Sequence, residues 1–537
     1  MALKAEIDDL KTQGSVTDEP PCHDTHEHED CEVEDETDVE YPCIPGRLDY
    51  FDGKTRYRTI ISLDGLLAEL DESQISYSLS PTEISSALIN FPFSPIRSTG
   101  ITHLLEALPD RQVTDILVES YIKSFDTFCP VLNTSAFVHT YDSFWRDMKA
   151  VEVTWLPTLF SVLAIALRVT PDLVLYPAVN INEYADKLIM AAEESLLIGK
   201  FVTEYTFETV QALVLVQQYY DMFREYGSTI GFTVQIAKAL GLHQDPEILQ
   251  LDVASCKVRR QVWLCVYNLD QFASLRSGLP SVSQQDEVNE YHQDLTSHKR
   301  FNFIRHVYSF YKLERPTSYQ QLCSLDAAIQ ASQTTWTAID ESQGCYLEMM
   351  AARHSISLHQ PYAQKSEAKY HKSKLQVIEV SRKTLETYFA YLRRGRPMNP
   401  IISKFIIETA CIAALLIANH LRQKNSKNAE DWSCVDMFSM SSEHIKYVLP
   451  QRTRLVLTYL RGRLDDSNDE DEGHFEFPST EGPLIATETP FIWFTGMNNA
   501  ACTQHGISAS DAQACFGYPD SALSNQGLFG GEFGLGM

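Results

Sequence analysis

The chain has little that would equip it for catalysis. It contains no G-x-x-x-x-G-K-[ST] run to cradle a phosphate and no G-x-G-x-x-G after a strand-like stretch. A G-x-S-x-G elbow and an H-E-x-x-H helix are also absent. These gaps remove the ready-made sites for nucleotide, serine-nucleophile and zinc-hydrolase chemistry. Positive charge is scarce as well: 44 Lys/Arg stand against 72 Asp/Glu, for a net charge of −28. There is no dense basic block; the best are RRGR at 393–396 and the pair Arg259–Arg260. Nucleic-acid affinity comes from neutralising phosphates, so this composition excludes tight DNA contact by the body of the chain.

Long apolar runs are missing too. The stretches WLPTLFSVLAIALRV (155–169) and FIIETACIAALLIANHL (405–421) fall short of the ~20 residues that span a bilayer, and the second contains Glu408. They read as buried helices, and no membrane partner is expected. The opening MALKAEIDDLKTQG has no apolar segment and no cleavage pattern, so no secretory signal is expected there. The 12 cysteines are scattered, which fits reduced thiols in the cytosol or nucleus. No fixed-period repeat and no βαβ alternation appears, so neither a solenoid nor a parallel α/β sheet is expected. Convincing period-two strands are likewise absent.

What the chain does have is a large helical body between two acidic flanks. Residues 1–50 hold 16 Asp/Glu and 3 Lys/Arg, and residues 465–482 hold 8 Asp/Glu and no base. The segment 1–45 reads as a disordered acidic region, and 465–537 as an acidic, aromatic and then Gly/Ser-rich disordered tail. Phe475, Phe477, Phe491, Trp493 and Phe494 lie in or beyond the tail's acidic run, a composition typical of amphipathic activation segments. Between the flanks, 46–464 shows helical periodicity. TDILVESYIKSFDTF places Ile116, Leu117, Tyr121, Phe125 and Phe128 at helical spacing. Both NINEYADKLIMAAEESLLIG and FETVQALVLVQQYYDMFREYG run to a glycine, and STIGFTVQIAKALG has Ser228 as N-cap and Gly241 as its stop. The fold class is therefore all-α, a multi-helix domain.

Two clusters raise the question of a site. CHDTHEHEDCEVEDETDVEYPC (22–43) offers Cys22, His26, His28 and Cys31 as weak metal candidates, with His23 and Cys43 nearby. Its spacing lacks any C-x2-C, and the residues between are acidic. The second is VRRQVWLCVYNLDQFASLRSGLPSV (258–282). Val258, Val262, Trp263, Leu264, Val266, Tyr267 and Leu269 make a helix apolar nearly all round, which belongs in a core. Asp270 in its middle must then be paired or hydrogen-bonded. Arg259 and Arg260, read as the helix start, need carboxylate partners against the dipole. Gly278 and Pro280 end the helix. His243, just past a glycine-ended helix, is expected to cap carbonyls or pack beside Trp263.

These residues carry a resemblance. AKALGLHQD (237–245) and RRQVWLCVYNLDQFASLRSGLPSV (259–282) resemble the central regulatory region of fungal-specific transcription factors, which usually follows an N-terminal binuclear zinc cluster. Gly231, Ala237, Leu240, Gly241, Leu242, His243 and Asp245 match one half of the family pattern. Arg259, Arg260, Trp263, Tyr267, Leu269, Asp270, Gly278 and Pro280 match the other. Upstream, 108–137 resembles the family's opening helix, and 46–58 its short lead-in. The specific resemblance spans about 46–285, most strongly 100–285, and continues loosely to about 464. Gln244 and Leu279 stand where the family usually has Arg, and Asp126 and Asn133 where it often has His.

The resemblance implies a nuclear regulator of RNA polymerase II transcription and no enzymatic activity. It implies that the body acts through dimerisation or small-molecule sensing; the acidic–aromatic composition of the tail fits either contact with the transcription machinery or a solubilising tail. DNA contact is expected from a zinc cluster not present in this sequence, or from a DNA-binding partner. No cofactor is expected in the chain itself, and zinc only with such a cluster. Two further readings stay open, a cluster-less co-regulator or scaffold without DNA binding, and a helical enzyme.

Overall fold

In the computed structural model, the described residues are 46–51, 54–70, 101–148, 151–170, 180–224, 229–283, 302–311, 316, 318–333, 336, 340–394, 399–442 and 448–462. The metal candidates Cys22, His26, His28 and Cys31, both acidic flanks and Ser228 lie outside them. The chain enters through strands β1 (Gly46–Phe51) and β2 (Lys54–Thr59). They pair antiparallel from Gly46↔Thr59 to Phe51↔Lys54. No strand was expected here. The register leaves Asp52 and Gly53 between the paired ends, and Asp-Gly flanked by aromatic and β-branched residues is a strong hairpin signal. Because these six-residue strands pair only with each other among the described residues, their period is too short to stand out in a helical background.

Sixteen helices follow among the described residues. The first, α1 (Leu63–Leu70), is short; Asp64 near its start accepts from Arg58 Nε at 2.6 Å and from Arg452 Nη1 at 3.1 Å. One carboxylate thus joins the hairpin, α1 and the last helix. The first half contains α2 (Thr102–Leu105), α3 (Arg111–Ser124), α4 (Thr134–Arg146), α5 (Leu156–Val169), α6 (Ile181–Ile198), α7 (Phe207–Phe223) and α8 (Ile230–Ala239). Helix α5 packs on α6, α3 and α7. Every residue of α5 except Arg168 is buried, as its continuous apolar run requires. Helix α7 stops at Phe223, short of the glycine expected to end it, because Arg224 turns extended and reaches Asp186 on α6.

The long α9 (Val253–Ser277) leads to α10 (Asn302–Tyr311), α11 (Tyr319–Ser332), α12 (Glu341–Ala363), α13 (His371–Arg393), α14 (Pro400–Gln423), α15 (Ala429–Ser441) and α16 (Val448–Gly462). Helix α14 touches α1, α7, α12, α13, α15 and α16, which makes it the hub of this half. Its 24 residues are long and apolar enough to cross a membrane, longer than the apolar run alone suggested. Yet 94% of its most apolar window is buried inside the fold. Caps follow the sequence chemistry: Asn133, Asn180, Asp252, Asp340 and Asn399 each accept a backbone N–H at a helix start.

Candidate functional site

Helix α9 is the axis on which the singled-out residues gather. It begins at Val253, where Asp252 Oδ1 accepts from Ala254 N at 2.9 Å and Ser255 N at 3.0 Å. Arg259 and Arg260 therefore sit two turns inside the helix rather than at its start. All of 261–270 is buried; Trp263 is 0% exposed and Tyr267 1%. His243 lies with its ring 6.0 Å from Trp263.

The two arginines serve different ends. Arg260 Nη2 donates to Asp245 Oδ1 at 3.0 Å and to Glu247 Oε1 at 2.7 Å. Burial opposes its charge, but these two carboxylates outweigh burial and keep the guanidinium protonated. Asp245 also accepts from Glu247 N at 3.2 Å, so it starts the one-turn helix Pro246–Leu249 as well as holding Arg260. Among the described residues Arg259 does not find the carboxylate that the sequence seemed to require. Its Nη2 donates to the Leu240 carbonyl at 2.7 Å, at the C-terminal end of α8. The last carbonyls of a helix lack intrahelical donors and carry its negative end, so they meet the same need. The turn between Arg259's partner and His243 is made by Gly241 at φ 68°.

Asp270 works at the other end. Its carboxylate accepts from Val282 N at 3.3 Å, Ser283 N at 2.7 Å and Ser283 Oγ at 2.5 Å. It folds the Leu279–Pro280 segment back along α9. Gly278 ends the helix at φ 71°. A Cβ there would lie 1.7 Å from Thr59 Oγ1, because the end of the hairpin crosses at this point. Arg353 of α12 donates to the Ile61 and Leu275 carbonyls, and Gln360 Nε2 donates to the Ile60 carbonyl at 2.8 Å. Gly241, Leu242, His243, Asp245, Arg259, Arg260 and Trp263 thus gather at one end of α9, and Asp270, Gly278 and Pro280 at the other.

A third cluster was not singled out. Arg276 makes a bidentate pair with Glu408 of α14, at 2.9 Å from Nε and 2.8 Å from Nη2. Its Nη1 lies 3.6 Å from Asp221 Oδ1 of α7. Burial pushes the Asp221 carboxyl up, opposed by Arg276 and Lys404. Burial also acts on Glu408, but Arg276 and Lys404 outweigh it and hold that carboxyl below the ordinary range. The signal was present in the sequence: a lone Glu408 inside an apolar helix must be paired. The partner was not readable, because Arg276 stands 132 residues away. Beside this cluster lies a small pocket, partly open to solvent, between α7, α9, α10, α12 and α14. Its walls are aromatic, and Asp221, Asn268, Tyr311, Arg276 and Lys404 supply its polar groups. No nucleophile–base pair lines it, and no metal-binding group of His, Cys, Asp and Glu occurs among the described residues.

Comparison with known proteins gives this geometry a context. The family described as "Fungal specific transcription factor domain" matches residues 118–379, from α3 to within α13. The chain is 28% identical over 192 residues to the Fusarisetin A cluster transcription factor fsa6 of Fusarium sp. (strain FN080326), covering 33% of this chain and 25% of that one. It is 27% identical over 266 residues to the Zn(2)-C6 fungal-type transcription factor mpsB of Macrophomina phaseolina (strain MS6), covering 45% and 35%. A longer match, 21% identical over 412 residues, joins it to the Pyrrolocin cluster transcription factor fsdR of Fungal sp. (strain NRRL 50135), covering 61% and 52%. The chain thus spans between a quarter and about half of these relatives' own length. No solved structure matches.

Proposed function

The chain carries a fungal specific transcription factor domain over residues 118–379, and from that premise we propose that it is a nuclear regulator of transcription whose helical body is the regulatory part. The observation that carries the reading is the family match itself, which covers α5, α7 and α9, the helices that build much of the core. The family and the similar proteins are transcription regulators rather than enzymes. Net charge supports the same division of labour. At −28 the chain repels phosphate, so sequence-specific DNA contact comes from a zinc cluster outside these residues or from a DNA-binding partner. The acidic flanks are then the surfaces offered to the transcription machinery, and the body is the part that pairs or senses. Two of the relatives are named as cluster transcription factors, so the controlled genes are proposed to form a cluster here too.

The test tethers the full chain to a heterologous DNA-binding domain upstream of a reporter. Output changes several-fold against the DNA-binding domain alone, and deletion of 465–537 removes most of an activating effect. An unchanged reporter, with the fusion shown to be intact and bound at its site, overturns the regulatory reading and leaves a helical scaffold.

A further inference from the structure

We propose that the acidic segment 465–482 docks on a basic face of its own chain, built by α13, the turn between α14 and α15, and the end of α16. Against a net charge of −28, these are segments where Lys and Arg gather. Helix α13 carries five Lys/Arg against Glu379 and Glu386. The turn 422–428 carries Arg422, Lys424 and Lys427, and α16 carries Arg452, Arg454 and Arg461; neither sequence contains an acid.

Folding brings these charges together. Helix α13 packs along α14, and both touch α15. Lys374, Arg382 and Lys424 are all exposed. Burial lowers the imidazole of His420, on the last turn of α14, and the charges of Lys424, Lys374 and Arg382 reach it and lower it further. Arg382 also acts on Cys434 of α15. None of Lys374, Arg382 and Lys424 has an ion-pair partner among the described residues. Cations gathered in this way create a positive potential that an anion laid over them relieves.

Two observations choose the anion. The first is where the chain leaves the fold. The Arg461 guanidinium lies 4.7 Å from the centroid of the Trp432 ring, and Trp432 Nε1 donates to the Ser426 carbonyl at 2.9 Å. The end of α16 therefore lies against the turn that carries Lys424. Asp465 follows Gly462 by three residues, so the acidic run starts within about 10 Å of that end. The second is complementarity. Residues 465–482 hold 8 Asp/Glu and no base, with Phe475 and Phe477 among them. The receiving helices expose Leu375 on α13 and Met437 and Met440 on α15 as well as their cations. The flank 1–45 is acidic too, but it joins the body at the hairpin, which meets the start of α16 through Asp64 and Arg452.

A single exposed ion pair contributes little. The tether lowers what is required: at an effective concentration of about 1 mM, a contact with a dissociation constant of about 1 mM is already half formed. The contact stands apart from the transcriptional reading, since it requires only that the tail meet the face beside which it emerges. Another protein that takes the tail has to compete with it.

The experiment treats the purified full chain with a water-soluble carbodiimide, which joins a lysine amine to a touching carboxylate as an amide. Equal amounts of unlabelled and isotope-labelled chain are mixed, and the links are mapped by mass spectrometry after digestion. The expected links run from Lys374 and Lys424 to carboxylates of 465–472 within one isotope, several-fold more often than from the exposed Lys257 of α9. Raising salt from about 0.01 M to about 1 M shortens the screening length from about 30 Å to about 3 Å, and the yield falls several-fold. Arg382→Glu keeps both lysines but reverses one charge of the face, so it also lowers the yield several-fold, while Arg382→Lys keeps it. Should Arg382→Glu fail to fold, the salt series on the unaltered chain decides. Links spread evenly over the exposed lysines, or a yield indifferent to salt, overturn the docking. Links between isotopes give the face to a second copy, and links to 1–45 give it to the other flank; each overturns it too. Absence of links does the same, and a labelled DNA duplex retained by the parent chain but released by Arg382→Glu would then assign the face to nucleic acid.

Discussion

Gly278 and Gly241 both hold positive φ, at 71° and 68°, yet they face different surroundings. A Cβ at Gly241 meets nothing within 4 Å, whereas one at Gly278 strikes Thr59 Oγ1 at 1.7 Å and Ile61 Cγ1 at 2.9 Å. Gly241→Ala therefore pays only backbone strain, about 1–2 kcal/mol. Gly278→Ala adds a steric clash, and its loss should exceed about 3 kcal/mol. Urea unfolding of the two variants checks this, and equal losses would refute the hairpin's position over the end of α9. The buried ion cluster gives the second residue-level expectation. Arg276→Met leaves Glu408 and Asp221 buried without their main counter-ion, a loss of about 3–5 kcal/mol. The double change Arg276→Met with Glu408→Leu should recover a substantial part, since it removes the stranded charge as well. A double variant no more stable than the single one would show that the pair does more than neutralise charge. The need for a partner was legible at Glu408 and Asp270, since both are lone carboxylates in apolar helices. Glu408's partner was not, because only folding brings α7, α9 and α14 together, whereas Asp270 is answered by Val282 and Ser283 just beyond its own helix.

At the scale of elements, α6 and α7 share a buried acid. Burial pushes the Glu193 carboxyl up to about 8, although the Tyr220 hydroxyl, 2.6 Å away, opposes the rise. The folded chain thus keeps a proton that the unfolded chain releases above its ordinary value of 4.5. The contribution of this group is fully present below that value and is lost as pH rises through about 8, because the unfolded state gains by ionising. Glu193→Gln keeps the shape and removes the titration. Its unfolding midpoint should therefore fall less than that of the parent chain between about pH 5 and 8, so the two curves diverge upward in pH. Parallel curves would place the proton elsewhere. Element identity was largely readable: helices announce themselves by period, and α5, α8 and α14 lie where their apolar faces require. Element ends were less so. Helix α9 starts at Val253 because Asp252 caps it, and α7 stops at Phe223 because Arg224 leaves for Asp186. The hairpin escaped because two short strands that pair only with each other leave a weak pattern.

For the whole molecule, charge and function divide along the sequence. The acidic excess lies mostly in residues 1–50 and 465–482, while the described body holds its ions in pairs and clusters. This division is what the tethered reporter examines, since a regulator needs both a responsive body and an output segment. By itself the sequence determined the helical class, the acidic flanks, the buried character of α9 and the resemblance that the family match at 118–379 supports. Those properties depend on local period and composition, which survive without three dimensions. Only the tertiary structure decided that Arg259 answers a helix end instead of a carboxylate, that Arg276 joins Asp221 and Glu408, and that a small aromatic pocket forms beside them. Each joins residues far apart in the chain, and their approach is set by how helices pack rather than by any local pattern.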